Sequence, residues 1–148
     1  MKKALIVLSA IALSAGAAYA ANDAIATRQA LMDANGGAAG LSAAMLKGEM
    51  PYNAAAAKSA IATFRATSVA VGAFFPDGSD KGETEASPKI WSDQAGFEKA
   101  LANFNADAEA AMKAAGKKGP VDLAAFKTAV VPVLQNCKSC HEDFRIKR

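Results

Sequence analysis

Apolar residues recur at three- and four-residue intervals through most of the chain, β-branched runs are scarce and alanine is abundant, which is an all-helical pattern. Four segments carry it. The first runs from about Asn22 to Lys47, with Ile25, Met32, Ala39 and Leu46 on one stripe. Asn35-Gly36-Gly37 interrupts that stripe and predicts a bend or the close approach of another group. The second runs from Asn53, a good N-cap, to about Val71, with Ala57, Ile61, Phe64, Ser68 and Val71 facing inward. From Phe74-Phe75-Pro76 to Ser87-Pro88 the periodicity lapses into a polar connection. The third segment, about Lys89 to Ala115, turns Phe97, Leu101, Phe104, Ala108 and Met112 inward. Gly116 to Pro120 (GKKGP) stops it. The fourth starts near Val121, with Leu123, Phe126, Val130, Val133, Leu134, Cys137 and Phe144 apolar and Pro132 inside it. Four helices with short connections and one longer loop predict a single-domain antiparallel four-helix bundle.

The start of the chain stands apart. Lys2 and Lys3 precede an apolar run from Ala4 to Leu13, and Ala18-Tyr19-Ala20 has the small-x-small pattern of a signal-peptidase site. Residues 1–20 therefore read as a signal peptide and residues 21–148 as the mature, exported domain, periplasmic in a bacterium. A membrane-spanning helix needs about 20 apolar residues, so stable insertion after cleavage is not expected. Two of the 17 basic residues leave with the signal, so the remainder nearly balances the 14 acidic ones. That near-neutral surface excludes nucleic acid as a partner, which needs a concentrated basic face. The local cluster of Arg145, Lys147 and Arg148 reads as a solvated helix end.

The candidate chemistry lies near the C-terminus, in Cys137-Lys138-Ser139-Cys140-His141. This is the c-type haem attachment pattern. Thiols three residues apart lie on one side of a helical turn and can add across two porphyrin vinyl groups. The adjacent imidazole then reaches iron from the proximal side. A redox C-x-x-C normally opens a helix after a strand, and no strand is expected here. A structural zinc site needs four ligands, whereas the chain has two cysteines and one histidine. A disulfide stays open as a reading but leaves His141 without a role. With no second histidine, a bis-histidine site is excluded by count, and the thioethers of Met32, Met45, Met50 and Met112 are candidates for the other axial position, soft ligands that favour ferrous iron. Spacing alone does not choose among these, and any one of them can be a core filler.

A haem motif near the end of a four-helix chain resembles the class II cytochromes c, the cytochrome c′ family. Glu142-Asp143-Phe144-Arg145 is similar to the family's tail after the haem histidine. Thr27-Arg28-Gln29-Ala30-Leu31-Met32, Leu46-Lys47-Gly48-Glu49, Phe75-Pro76 and Pro88-Lys89-Ile90-Trp91 resemble it elsewhere. The resemblance implies one haem c per chain, attached near the C-terminus of the last helix through Cys137 and Cys140, with His141 proximal. It also implies that the first helix supplies the distal face, at the position four residues after an arginine. High-spin members usually carry an apolar side chain such as leucine there, and low-spin members methionine. Met32 follows Arg28 at that spacing, so the resemblance points to the methionine-ligated branch. Arg28 would then reach a haem propionate. Arg145, four residues after His141, would line the proximal side or remain an exposed cation. Trp91, Phe64, Phe97 and Phe104 read as packing residues.

On this reading the protein is an electron carrier, not an enzyme, that meets other redox proteins through small transient contacts. The alternative is a five-coordinate haem that binds nitric oxide or carbon monoxide. The family's dimers, formed through the first two helices, make a homodimer an open expectation.

Overall fold

The computed structural model describes residues 2–146, with side chains from Asp23 onward. The expectations for Lys147, Arg148 and the side chains of the leader lie outside the described residues. Helix α1 spans Lys2–Lys47, α2 Ala54–Ala70, α3 Lys89–Ser92, α4 Gln94–Ala115 and α5 Leu123–Phe144. A turn of 3-10 helix, Val71–Phe74, continues α2 into the long loop. The architecture is the expected four-helix bundle, with α3 as a short extra turn.

Helix boundaries follow side-chain caps. Asn53 caps α2 by accepting the Ala56 N–H at 2.9 Å, as its sequence position predicts. The expected third helix is divided at Asp93, whose backbone leaves the helical region. Its carboxylate accepts the Gly96 N–H at 3.1 Å and restarts the chain as α4. A Cβ at position 96 would collide with that carboxylate, so glycine makes the tight cap feasible. The last helix begins later than its apolar pattern suggests, because Asp122 caps it through the Ala125 N–H at 2.7 Å. Leu123, on the apolar side by its spacing, stands exposed. Helix α1 runs through Asn35-Gly36-Gly37 without interruption. Open space surrounds Gly36 and Gly37, so no close approach explains them.

Helix α1 packs on α2, α2 on α4 and α4 on α5, while α1 and α5 meet only sparsely. Phe64, Ile61, Phe104, Phe126, Val130, Val133 and Met45 form the main core. A second cluster, built on Ile90, Phe97 and Phe144, includes Phe75, Trp91 and Cys140 at the end of the bundle where α5 finishes. The inner face of α1 is more polar than its apolar stripe predicts. Arg28, Asn35 and Ser42 are buried, whereas Met32, Ala39 and Leu46 are only partly so. No helix among the described residues is long and apolar enough to cross a membrane.

Candidate haem site

The site begins with the last two turns of α5. Cys137 and Cys140 are both half-buried and unpaired, so no disulfide joins them. The Cys137 Sγ lies 3.5 Å from the Val133 carbonyl, the ordinary i−4 contact of a helical thiol. Cys140 packs against the aromatic cluster. Burial raises both thiol pKa values, and the neighbouring Cys137 and Asp143 raise that of Cys140 further. His141 is exposed at the surface of α5. Its pKa is nevertheless lowered, first by desolvation and then by the Arg145 cation, with Glu85 opposing. Lowered from about 6.5, it leaves a neutral imidazole at pH 7, the form that ligates a metal.

The methionines sort by packing. Met45 is buried in the main core, and Met50 and Met112 pack against it. Met32 is half-buried and belongs to neither apolar cluster. It lies on α1 one turn from Arg28 and one turn from Asn35, whose buried Oδ1 has no hydrogen-bond partner among the described residues. Buried acceptors without donors are rare, so this stretch of α1 is not sealed by the polypeptide alone.

Arg28 is buried at 4% exposure and gives its terminal N–H groups to the loop between α2 and α3. Nη1 donates to the Phe74 carbonyl at 3.0 Å and to Ser79 Oγ at 2.9 Å. Nη2 donates to the Ser79 carbonyl at 2.5 Å and to Thr84 Oγ1 at 2.8 Å. The guanidinium also lies 4.9 Å from the Phe75 ring centre and 5.9 Å from that of Trp91. The four N–H groups of the two terminal nitrogens are all engaged in this way. Ser79 and Thr84 were not legible as site residues, because isolated hydroxyls in a polar loop carry no periodic signal.

Arg145 is neither free nor turned only to solvent: its Nε donates to Glu85 Oε2 at 2.6 Å. Trp91 packs on the aromatic cluster, as expected, and its indole N–H reaches the Pro76 carbonyl at 3.3 Å. A groove of about 500 Å³ between α2 and α4, lined by Ser68, Gly72, Leu101 and Glu109 among others, contains none of the predicted site residues. No group of three His, Cys, Asp or Glu side chains able to hold a metal ion gathers among the described residues. The last two turns of α5 carry two thiols and one imidazole, the donor types that covalent haem attachment uses.

The family profile described as Cytochrome C' matches residues 23–145. The chain belongs to the cytochrome c′ family, the class II cytochromes c. A cytochrome c′ of Rhodopseudomonas palustris is 40% identical over 140 residues, covering 93% of this chain and 92% of the relative. A cytochrome c-556 of Agrobacterium fabrum is 36% identical over 136 residues, covering 92% and 89%. Among solved structures, a cytochrome c′ described as having ligand-controlled dimer dissociation superposes with a TM-score of 0.76 at 31% identity, covering 86% of this chain and 97% of that one. As a class II cytochrome c, the chain is a monohaem protein with covalently attached haem c.

Proposed function

We propose that this class II cytochrome is a periplasmic carrier of single electrons, whose haem iron would be held by His141 and Met32. Cys137 and Cys140 would hold the haem covalently through their sulfurs. The observation that carries the reading is Met32 itself. It stands four residues after Arg28 on α1, and it is not used in the core as Met45, Met50 and Met112 are. Helices α1 and α5 meet sparsely, which suits a flat group placed between them.

The haem supplies reversible exchange of one electron between ferric and ferrous iron. The polypeptide does the rest. His141 offers a neutral imidazole, and Met32 offers a soft thioether that favours the ferrous state and raises the potential. The bundle keeps both side chains in similar places in either oxidation state. Arg145, held by Glu85, lowers the basicity of His141 and borders its face of the site. With its iron held by two side chains, the protein would exchange electrons by transient contact with other redox proteins. His141 is the chain's single histidine, so no second imidazole serves as an acid–base group for an enzymatic step.

A second reading, binding of nitric oxide or carbon monoxide at an open iron, is kept because the 40% identical relative is a cytochrome c′. Absorption spectra decide between them. The protein recovered from a periplasmic extract is expected to have the intact mass of residues 21–148 with one haem. It is expected to show a sharp low-spin reduced spectrum that carbon monoxide leaves unchanged. A broad high-spin spectrum shifted by carbon monoxide overturns Met32 ligation and selects gas binding.

A further inference from the structure

Helices α1 and α5 carry the two proposed axial ligands but share little packing. The loop between α2 and α3 ties them together instead. On the α1 side, Arg28 grips Ser79 and Thr84 through buried hydrogen bonds of 2.5 to 2.9 Å. Ser79 Oγ passes one bond on to the Pro76 carbonyl at 2.8 Å, so its lone pair faces the guanidinium. On the α5 side, the Ser87 N–H donates to the Phe144 carbonyl at 3.0 Å and the Ile146 N–H to the Glu85 carbonyl at 2.8 Å. Ala86 and Arg145 form an antiparallel bridge, and Arg145 pairs with Glu85. Thr84 joins the two halves: its Oγ1 accepts from Arg28 and from the Ala86 N–H at 3.1 Å.

We propose that the segment Ser79 to Ser87 is a strap that fixes the spacing of α1 from α5 and so keeps the Met32 sulfur on the iron held by His141. Thr84 is its positioning residue. The proposal rests on Met32 ligation. Arg28 and Met32 are four residues apart on one helix face, so a guanidinium fixed by four bonds fixes the thioether one turn away. Bonds from a buried cation are the strong kind, and α1 and α5 share little direct packing. If the strap loosens, the fraction of molecules with Met32 off the iron rises. An external ligand that competes for that position then binds in proportion to that fraction.

Carbon monoxide added to the reduced holoprotein reads that fraction. In Thr84→Val and Arg28→Lys, apparent carbon monoxide affinity is expected to rise about tenfold or more. Thr84→Ser, which keeps the hydroxyl, restores wild-type behaviour. Asp122→Ala serves as a control, since it weakens the far end of α5 and lowers the melting temperature without touching the strap. It should leave carbon monoxide uptake unchanged. If Arg28→Lys does not fold, Thr84→Val decides alone. Folded strap variants that melt lower yet take up carbon monoxide no better than wild type overturn the strap. A wild-type protein that already binds carbon monoxide as an open iron overturns the ligation reading beneath it, and that result appears before any variant is made.

Discussion

At position 32 the proposed function rests on a single side chain: on that reading methionine closes the iron, and leucine would leave it open. Met32→Leu conserves volume, so it should cost less than about 1.5 kcal/mol of stability and leave the bundle intact. The reduced variant is expected to bind carbon monoxide, and its reduction potential should fall because the ligand that favours ferrous iron is gone. A redox titration and a carbon monoxide titration check this; a variant with the wild-type potential and no carbon monoxide binding shows that Met32 is not the ligand. The covalently attached haem was legible because its chemistry imposes a fixed spacing on adjacent residues. The loop partners of Arg28 were not legible. Ser79 and Thr84 lie 51 and 56 residues away and are neutral hydroxyls, so neither charge nor period announces them.

At the scale of elements, each long helix was readable from its apolar period, and Asn53 was readable as a cap. The division at Asp93 was hidden, because Ile90 and Phe97 keep an apolar spacing across it while the aspartate side chain turns back to cap α4. The face of α1 was read only in part: Ile25 is buried as its stripe predicts, but Arg28 is buried through its loop partners and Ser42 through a bond from its Oγ to the Ala38 carbonyl at 2.7 Å. The α4–α5 turn was read correctly as a stop, and the structure shows what holds it. Tyr52 donates to the Pro120 carbonyl, and Lys58 to the Lys117 carbonyl. Gly119 has φ +92° and lies so close to the Ala54 carbonyl that a Cβ would overlap it. Gly119→Ala therefore meets both a forbidden backbone region and a backbone clash, and a loss of about 1–3 kcal/mol is expected. Thermal denaturation measures it. Because this turn contacts the start of α2 rather than the haem-bearing end of α5, the absorption spectrum should stay as in wild type; a changed spectrum means that the two ends of the bundle are coupled.

For the whole molecule, the remaining question is how one copy meets another. Val69, Val121, Leu123 and Ile146 are exposed but scattered over α2, the start of α5 and the C-terminal segment, so they do not form one apolar patch. The outer face of α1 is different. Ala26, Ala30, Ala34 and Gly37 are exposed along one side of it, and small side chains allow two helices to approach closely. Ala30 and Met32 are two residues apart, which turns them about 200° from each other around the helix. A contact through Ala30 would therefore leave the distal ligand undisturbed. The near balance of acidic and basic residues adds little repulsion between copies. We expect concentration-dependent dimerisation through this face. In Ala30→Arg, two guanidinium groups would be forced into a close helix crossing, and sedimentation velocity should show monomer where wild type shows dimer, with an unchanged absorption spectrum. A wild-type protein that remains monomeric across the micromolar range removes this face as an interface. A dimer that survives Ala30→Arg places the contact elsewhere on the bundle.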